Sequence, residues 1–341
     1  MILEIFRLNV KVAEIENNKT VYFNDAAPIL IKQGRFEDWV NIRKPDINRP
    51  NVRSLRRMMG LSTSRLDDVF GEISYQSLSD SFWLRQKGAV QTWESIQFQE
   101  KDGCFFEHAL SGKMNFDSPD IYKSRKSPEH TNIGSFEKGW KNVAPNKWQL
   151  WKSGDNSAVW SEVFYSNLAN EIFPNIAVKY WEEDGYSVCD NFVDRCKGDS
   201  LEPIFSLIDE HNDPEDVLKV LPEALHEDYR RMLFLDALMF NWDRHEFNFG
   251  ITTDIDGNIK GLTPLFDFNL SLFNGASPNS KRFEDTTIQM FKAIKGTEEY
   301  PVAQSMVENA YKNTKTSFEA VATLNETADF IMQGYGLVYF L

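Results

Sequence analysis

Cysteine is scarce in this chain: Cys104, Cys189 and Cys196 are the only three, and no two of them form a Cys-x-x-Cys pair. They are too few and too scattered for a disulfide framework. The five histidines do not cluster with them, which argues against a zinc site. Reduced thiols in a cytoplasmic protein are the expectation. Long hydrophobic runs are also missing. The most apolar stretch, Met232 to Phe240, is interrupted by Asp236 and is far shorter than the roughly 20 residues that span a bilayer. The N-terminus, Met1 to Arg7, has no basic stretch leading into an apolar run, so it does not read as a secretory leader. Positive charge is in deficit. A net charge of −14 excludes affinity for nucleic acid that comes from an overall positive field, and it would repel an anionic bilayer. Neither direct nucleic-acid binding nor membrane association is expected. One local basic concentration exists: Arg43, Lys44, Arg49, Arg53, Arg56 and Arg57. It reads first as a solvated helix face, with docking of an acidic partner as the alternative.

Material for a core is plentiful. Of 341 residues, 42% are hydrophobic and 13% aromatic, so the chain is not disordered as a whole, and its length allows two compact domains. Residues 1 to about 32 alternate apolar and polar positions, which predicts a small antiparallel unit. Pro45 and Pro50 break the chain before a helix-like run from Val52 to Leu61. Leu78 to Leu84 reads as a turn entering a buried aromatic strand. Tyr122 to Ile133 is polar and reads as a linker or exposed loop. Short strands around one helix are expected from Gly134 to Cys196, and mostly helix from Leu201 onward. The expected organisation is an N-terminal segment over 1–120, a smaller β-rich unit over 121–197 and a mostly helical one over 198–341. The fold class is therefore α+β.

Chemistry concentrates in Asn241-Trp242-Asp243-Arg244-His245-Glu246-Phe247-Asn248-Phe249-Gly250. Phosphoryl transfer needs a carboxylate to orient the attacking hydroxyl, oxygen ligands for Mg²⁺ and a cation on the phosphates. A helix ending before Asp243 would present this loop at a cleft, with Asp243 as base and Asn248 reaching a metal. Ile251 to Gly261 reads as a hairpin turning at Asp256-Gly257-Asn258. Such a hairpin returns the chain to Pro264-Leu265-Phe266-Asp267, bringing Asp267 beside Asn248. Two oxygen ligands suit Mg²⁺, which keeps several waters.

Asp-Arg-His-x-x-Asn-Phe-Gly followed by Pro-Leu-Phe-Asp resembles the catalytic and metal-binding segments of HipA-like serine/threonine kinases, the toxin kinases of bacterial toxin–antitoxin pairs and their relatives. The resemblance is specific over about residues 230–270, and it implies a two-lobed protein-kinase-like fold with an added N-terminal segment. It implies ATP and Mg²⁺ as cofactors, a serine or threonine of a protein as acceptor, and an antitoxin-like partner. By position, Asp243 would be the base, His245 a brace for the loop, and Asn248 and Asp267 the metal ligands. Lys152 would grip the phosphates, held by Glu162. Asp190 and Phe192, at the end of a strand leading to a hinge, would meet adenine. The phosphate-covering loop would be Gly134 to Lys141, with Gly134 and Gly139 as its glycines and Ser135 as a site of autophosphorylation. That loop departs from the G-x-G-x-x-G of ordinary protein kinases.

Other readings stay open. A kinase-like fold can serve as an inactive binding module, although Asp243, Asn248, Asp267 and Lys152 are all present here. Phosphoinositide kinases share Asp-Arg-His-x-x-Asn, but this chain lacks a basic or amphipathic membrane-facing surface. Small-molecule kinases of the aminoglycoside type place a histidine two residues before the aspartate, where this chain has Asn241.

Overall fold

The computed structural model describes residues 2–43, 54–55, 73–112, 126–132, 136–208, 214–272, 274, 302–314 and 316. In chain order the strands are β1 (Ile2–Arg7), β2 (Val10–Glu16), β3 (Lys19–Phe23), β4 (Phe82–Gln86), β5 (Lys138–Ala144), β6 (Lys147–Lys152), β7 (Tyr180–Glu183), β8 (Tyr186–Asp190), β9 (Ser200–Pro203), β10 (Gly250–Thr253) and β11 (Ile259–Leu262). The helices are α1 (Ile29–Lys32), α2 (Phe36–Asn41), α3 (Trp93–Ile96), α4 (Phe106–Ser111), α5 (Asn156–Ile172), α6 (Pro214–Val220), α7 (His226–Leu238) and α8 (Gln304–Asn313). The chain is thus a mixed α/β protein with antiparallel sheets. It divides into two compact units. The first comprises 1–153, 190–202 and 252–260, and the second 154–189, 203–251 and 261–341. The division runs through the segment 121–197 that the sequence suggested as one unit.

In the first unit, β1 is central in an antiparallel sheet of order β3-β2-β1-β4. Ile5 pairs with Ala13 on one side and Leu84 on the other, and all three are buried. The alternation read over residues 1–32 is this sheet, and the aromatic strand at Phe82–Leu84 is its fourth member. Arg7 closes β1 with a fully buried guanidinium. It donates through Nε to the Gly198 carbonyl at 2.8 Å and through Nη2 to the Thr253 carbonyl and Oγ1 at 3.0 and 2.8 Å. The turn between β10 and β11 fits against the same region. Gly257 has φ of 88°, and a Cβ there would lie 2.2 Å from the Asp25 carbonyl oxygen, so only glycine serves.

Three expectations change. The span Tyr122 to Ile133 is not an exposed loop where it is described, because Pro128 to Thr131 form a buried turn. Its Glu129 carboxylate accepts from the Trp140 amide at 2.8 Å and from Asn132 Nδ2 at 2.6 Å. A polar composition here marks internal hydrogen bonding, not solvation. Arg43 does not belong to a surface basic patch. It is buried, pairs with Asp80 at 2.5 Å and lies 4.0 Å over the Trp39 ring. The other five basic residues of that cluster, like most of the helix-like run 52–61, fall outside the described residues. Gly139 sits within β5, paired with Trp151. A Cβ there would meet the Phe106 ring at 2.8 Å, so this glycine allows α4 to pack on a strand instead of shaping a loop. Gly134 and Ser135 fall outside the described residues.

Glu202 yields a prediction. It is buried, and its carboxylate accepts from the Ile29 amide at 3.1 Å. Burial dominates over that bond and the Arg7 charge, pushing the acid from 4.5 up to about 7. A carboxyl raised on folding favours the folded state while protonated, so its contribution is full below about pH 4.5 and is lost as pH rises through 7. Glu202→Gln should therefore gain stability over the parent on going from pH 5 to pH 8, by on the order of 3 kcal/mol. Urea unfolding at the two pH values measures it. A difference that did not change with pH would show that Glu202 stays ionised.

Candidate active site

The second unit carries the segment singled out in the sequence. The second half of helix α7, Met232 to Leu238, is apolar and buried, and Asp236 within it is fully buried as well. Buried charge requires partners, and Asp236 has four hydrogen bonds. Its Oδ1 accepts from Tyr165 Oη at 2.8 Å, Asn241 Nδ2 at 2.7 Å and Arg244 Nη2 at 3.0 Å, and its Oδ2 accepts from Arg244 Nε at 2.8 Å. The fork-on-fork contact fixes the Arg244 plane. Burial would lower the guanidinium's pKa, but the Asp236 charge more than offsets this and holds it above its ordinary value.

Arg244 uses its remaining arm to organise two loops. Nη1 donates to the Asn248 carbonyl at 2.6 Å and to the Phe266 carbonyl at 2.8 Å. The residues bracketing the intervening hairpin are also tied, since Thr263 N donates to Gly250 O at 2.9 Å and Gly250 N to Thr263 Oγ1 at 3.2 Å. The chain therefore returns beside itself, with Asn248 just before the tie and Asp267 just after it. Asn248 Nδ2 donates to the Asp243 carbonyl at 3.1 Å. This bond turns Oδ1, a hard oxygen with no hydrogen-bond partner among the described residues, away from the loop backbone. Asp267 has φ of 65°, a left-handed conformation that costs roughly 1–2 kcal/mol outside glycine and is found where function fixes a side chain.

Helix α5 holds that strained residue. It begins at Asp155, whose carboxylate caps the Ala158 amide at 2.8 Å. Ser161, Glu162 and Tyr165 then grip the residue after Asp267. Glu162 Oε1 accepts from the Phe268 amide at 3.3 Å and its Oε2 from Ser187 Oγ at 2.6 Å. Ser161 Oγ donates to the Phe268 carbonyl at 3.3 Å and the Ser271 carbonyl at 3.0 Å. The Tyr165 ring stacks on Phe268 with centroids 4.0 Å apart and planes 5° from parallel. Burial, with Asp236 adding to it, raises the Tyr165 hydroxyl well above its usual pKa and keeps it a donor.

His245 is half-buried, and desolvation lowers its pKa although the charges of Asp243, Asp267 and Glu246 oppose that. Its Nδ1 accepts from the Phe247 amide at 3.2 Å, so the neutral ring carries its proton on Nε2. Trp242 anchors the loop by donating to the Asn274 carbonyl at 3.1 Å. The second unit thus brings together Asp243, His245, Asn248, Glu162 and the neighbours of Asp267. Lys152, the buried last residue of β6, belongs to the first unit. So do Asp190, which accepts from Gln149 Nε2 at 3.1 Å, and Phe192. No group of three or more His, Cys, Asp or Glu able to hold a metal occurs among the described residues. One carboxylate and one amide oxygen still fit Mg²⁺, which takes few protein ligands. Sequence reasoning missed Asp236, Tyr165 and Ser161. A charged residue inside the otherwise apolar run Met232 to Phe240 was the one available signal.

No family model matches the chain, and no curated protein matches its sequence. Among solved structures, it resembles the Shewanella oneidensis MR-1 toxin–antitoxin system HipA, HipB and operator DNA complex, with a TM-score of 0.50 and 11% identity over 98% of this chain and 95% of that one. The Helicobacter pylori proinflammatory kinase CtkA matches over 59% of this chain and 89% of its own, with a TM-score of 0.41 and 15% identity. At such identities the likeness concerns the fold alone, which is HipA-like.

Removing one member of a buried pair strands the other. Asp236→Ala should lower the unfolding free energy by about 3–5 kcal/mol, and Arg244→Met should also destabilise. The double variant Asp236→Leu/Arg244→Met should lose much less than the sum of the single variants. Strict additivity in denaturant unfolding would show that the two do not act as a unit.

Proposed function

We propose that this chain is an ATP- and Mg²⁺-dependent protein kinase of the HipA-like type, acting on a serine or threonine hydroxyl. The observation that carries the reading is Arg244, which fixes the Asn248 and Phe266 carbonyls from one nitrogen. Phosphoryl transfer asks for positioned oxygens more than for covalent chemistry. Asp243 orients the acceptor hydroxyl and takes its proton as the oxygen attacks the γ-phosphorus and ADP leaves. Asn248 Oδ1 and the Asp267 carboxylate would hold Mg²⁺, which neutralises charge on the phosphates. Neutral His245 braces the loop through Phe247. Glu162 and Ser161 keep Phe268, and so Asp267, in place.

Further assignments rest on the sequence resemblance alone. They are a two-lobed arrangement, Lys152 on the phosphates and its pairing with Glu162, and Asp190 and Phe192 at adenine. The Ser135 autophosphorylation site and an antitoxin-like protein partner have the same basis. A cytoplasmic location accords with the absence, among the described residues, of any helix long and apolar enough to cross a membrane.

The test is incubation of the purified protein, alone and with a cell lysate, with γ-labelled ATP and Mg²⁺. The expected result is label on protein serine or threonine, lowered at least about 100-fold by Asp243→Ala and equally by Asp267→Ala, with circular dichroism unchanged. Full activity in both variants would overturn the assignment. A parent protein that binds ATP without transferring phosphate would be an inactive binding module.

A further inference from the structure

The hairpin of β7 and β8 belongs to the second unit, and the phosphotransfer proposed above assigns it no role. Its register is set by a two-residue turn. Glu183 pairs with Tyr186, and Asp184 and Gly185 between them have φ of 54° and 85°, the two positive values that match a turn to the twist of its strands. Glu182 secures the turn by accepting from the Gly185 amide at 2.6 Å. In that register Tyr180 pairs with Cys189 and Glu182 with Ser187, so Tyr180 and Ser187 project from the same face of the hairpin. Both are buried.

Backbone bonds carry that face to the Asp267–Phe268 dipeptide. Just before β7, Val178 N donates to Leu265 O at 2.9 Å and Leu265 N to Ile176 O at 2.8 Å, and Ala177 forms a parallel bridge with Leu265. The two segments run the same way from that bridge, which brings Tyr180 beside residues 267 and 268. The Tyr180 ring meets the Phe268 ring edge-on, with centroids 5.9 Å apart, and the Asp267 amide faces its hydroxyl oxygen. Burial, with the charges of Cys189, Glu162 and Asp267 adding to it, raises the hydroxyl well above its usual pKa, so the group stays neutral. Tyr180 is pinned in turn from α5, because its amide donates to Ser166 Oγ at 3.0 Å and that hydroxyl donates to the Val178 carbonyl at 2.6 Å. Ser187 reaches the dipeptide through Glu162. Its Oγ donates to one carboxylate oxygen at 2.6 Å, and the other oxygen accepts from the Phe268 amide.

We propose that Tyr180 and Ser187 are positioning residues for the Asp267 carboxylate, an assignment that rests on the reading of Asp267 as a metal ligand. The backbone angles of Asp267 are fixed by the two peptides that flank it, and a left-handed aspartate holds only while both are held. The peptide before it is gripped at both ends, its Phe266 carbonyl by Arg244 and its Asp267 amide by Tyr180. The peptide after it is gripped at the Phe268 amide by Glu162, and Ser187 fixes the rotation of that carboxylate. Groups that orient a ligand in this way tune metal affinity without touching the metal.

The test uses the full chain and two readouts, neither of which is activity. Tyr180→Phe removes a hydroxyl and keeps the ring, and Ser187→Ala removes the other hydroxyl. In the metal-free chain, hydrogen exchange followed by NMR should quicken about 5–10-fold at the Asp267 amide in the first variant and at the Phe268 amide in the second, while the amides of α7 keep their parent rates. Mn²⁺ titrated with ADP present, its free ion followed by paramagnetic resonance, should bind about 10-fold more weakly or worse to both variants, with Asp267→Asn as the reference for loss of the ligand. The proposal fails if the two amides exchange as in the parent. It fails equally if the α7 amides quicken alongside them, since the hydroxyls would then serve general stability. Should Asp267→Asn weaken Mn²⁺ binding while the hairpin variants bind like the parent, the metal ligand stands and the positioning role falls. A parent chain that binds no Mn²⁺, or an Asp267→Asn variant that binds it as the parent does, overturns the metal ligand itself and the proposal with it.

Discussion

The proposed chemistry of the second unit depends on one buried ion pair. Asp236 and Arg244 lie in an apolar setting where removing two charges from water is expensive. What makes the pair tenable is saturation. Tyr165, Asn241 and two nitrogens of Arg244 supply four donors to the carboxylate, and the guanidinium extends two further bonds to backbone carbonyls. Such a pair adds little net stability over a hydrophobic replacement, but it admits one geometry. An apolar substitute could fill the space without fixing the orientation of the Asn248 and Phe266 peptides. The pair is therefore best understood as a device for position.

The same logic explains why three side chains of α5 converge on Phe268. A left-handed Asp267 would relax if its neighbours allowed it. The amide of Phe268 is held by Glu162, its carbonyl by Ser161 and its ring by Tyr165, so relaxation would break several contacts at once. Strain of this kind persists only where the surroundings over-determine it. Tyr165 also joins the two devices, since its ring packs on Phe268 while its hydroxyl reaches Asp236. Movement of α5 would then be felt by the loop bearing Asp243 as well as by the one bearing Asp267.

Much of this was legible in the sequence, and the limits are physical. The Asp243–Asn248 spacing and the Asp-Gly-Asn turn are local features, and local features leave local marks. Gly257 shows its reason only in part, because the contact that demands glycine is with Asp25, far away in sequence. Asp236 was visible only as an interruption in an apolar run. Its partners Tyr165, Asn241 and Arg244 are assembled by the fold, and no periodicity announces them. Glu129 and Arg43 misled for the converse reason. Charged residues normally mark solvent, but both are buried with hydrogen-bond partners. Gly139 read as loop because glycine is a turn former, whereas packing of Phe106 on a strand sets the same requirement.

Formal charge is a poor guide to the fields inside such a chain. At −14 the sequence excludes broad attraction to polyanions, yet Arg7, Arg43, Arg195 and Arg244 are all buried. Each answers a different need. Arg7 serves backbone carbonyls and Thr253, Arg43 a carboxylate and an aromatic face, and Arg244 a carboxylate and two peptides. These three are consumed by the architecture that surrounds them. Arg195 serves the Asp80 carbonyl and Gln76 Oε1 and lies over the Trp93 ring. The charge balance of a sequence therefore describes its surface better than its interior.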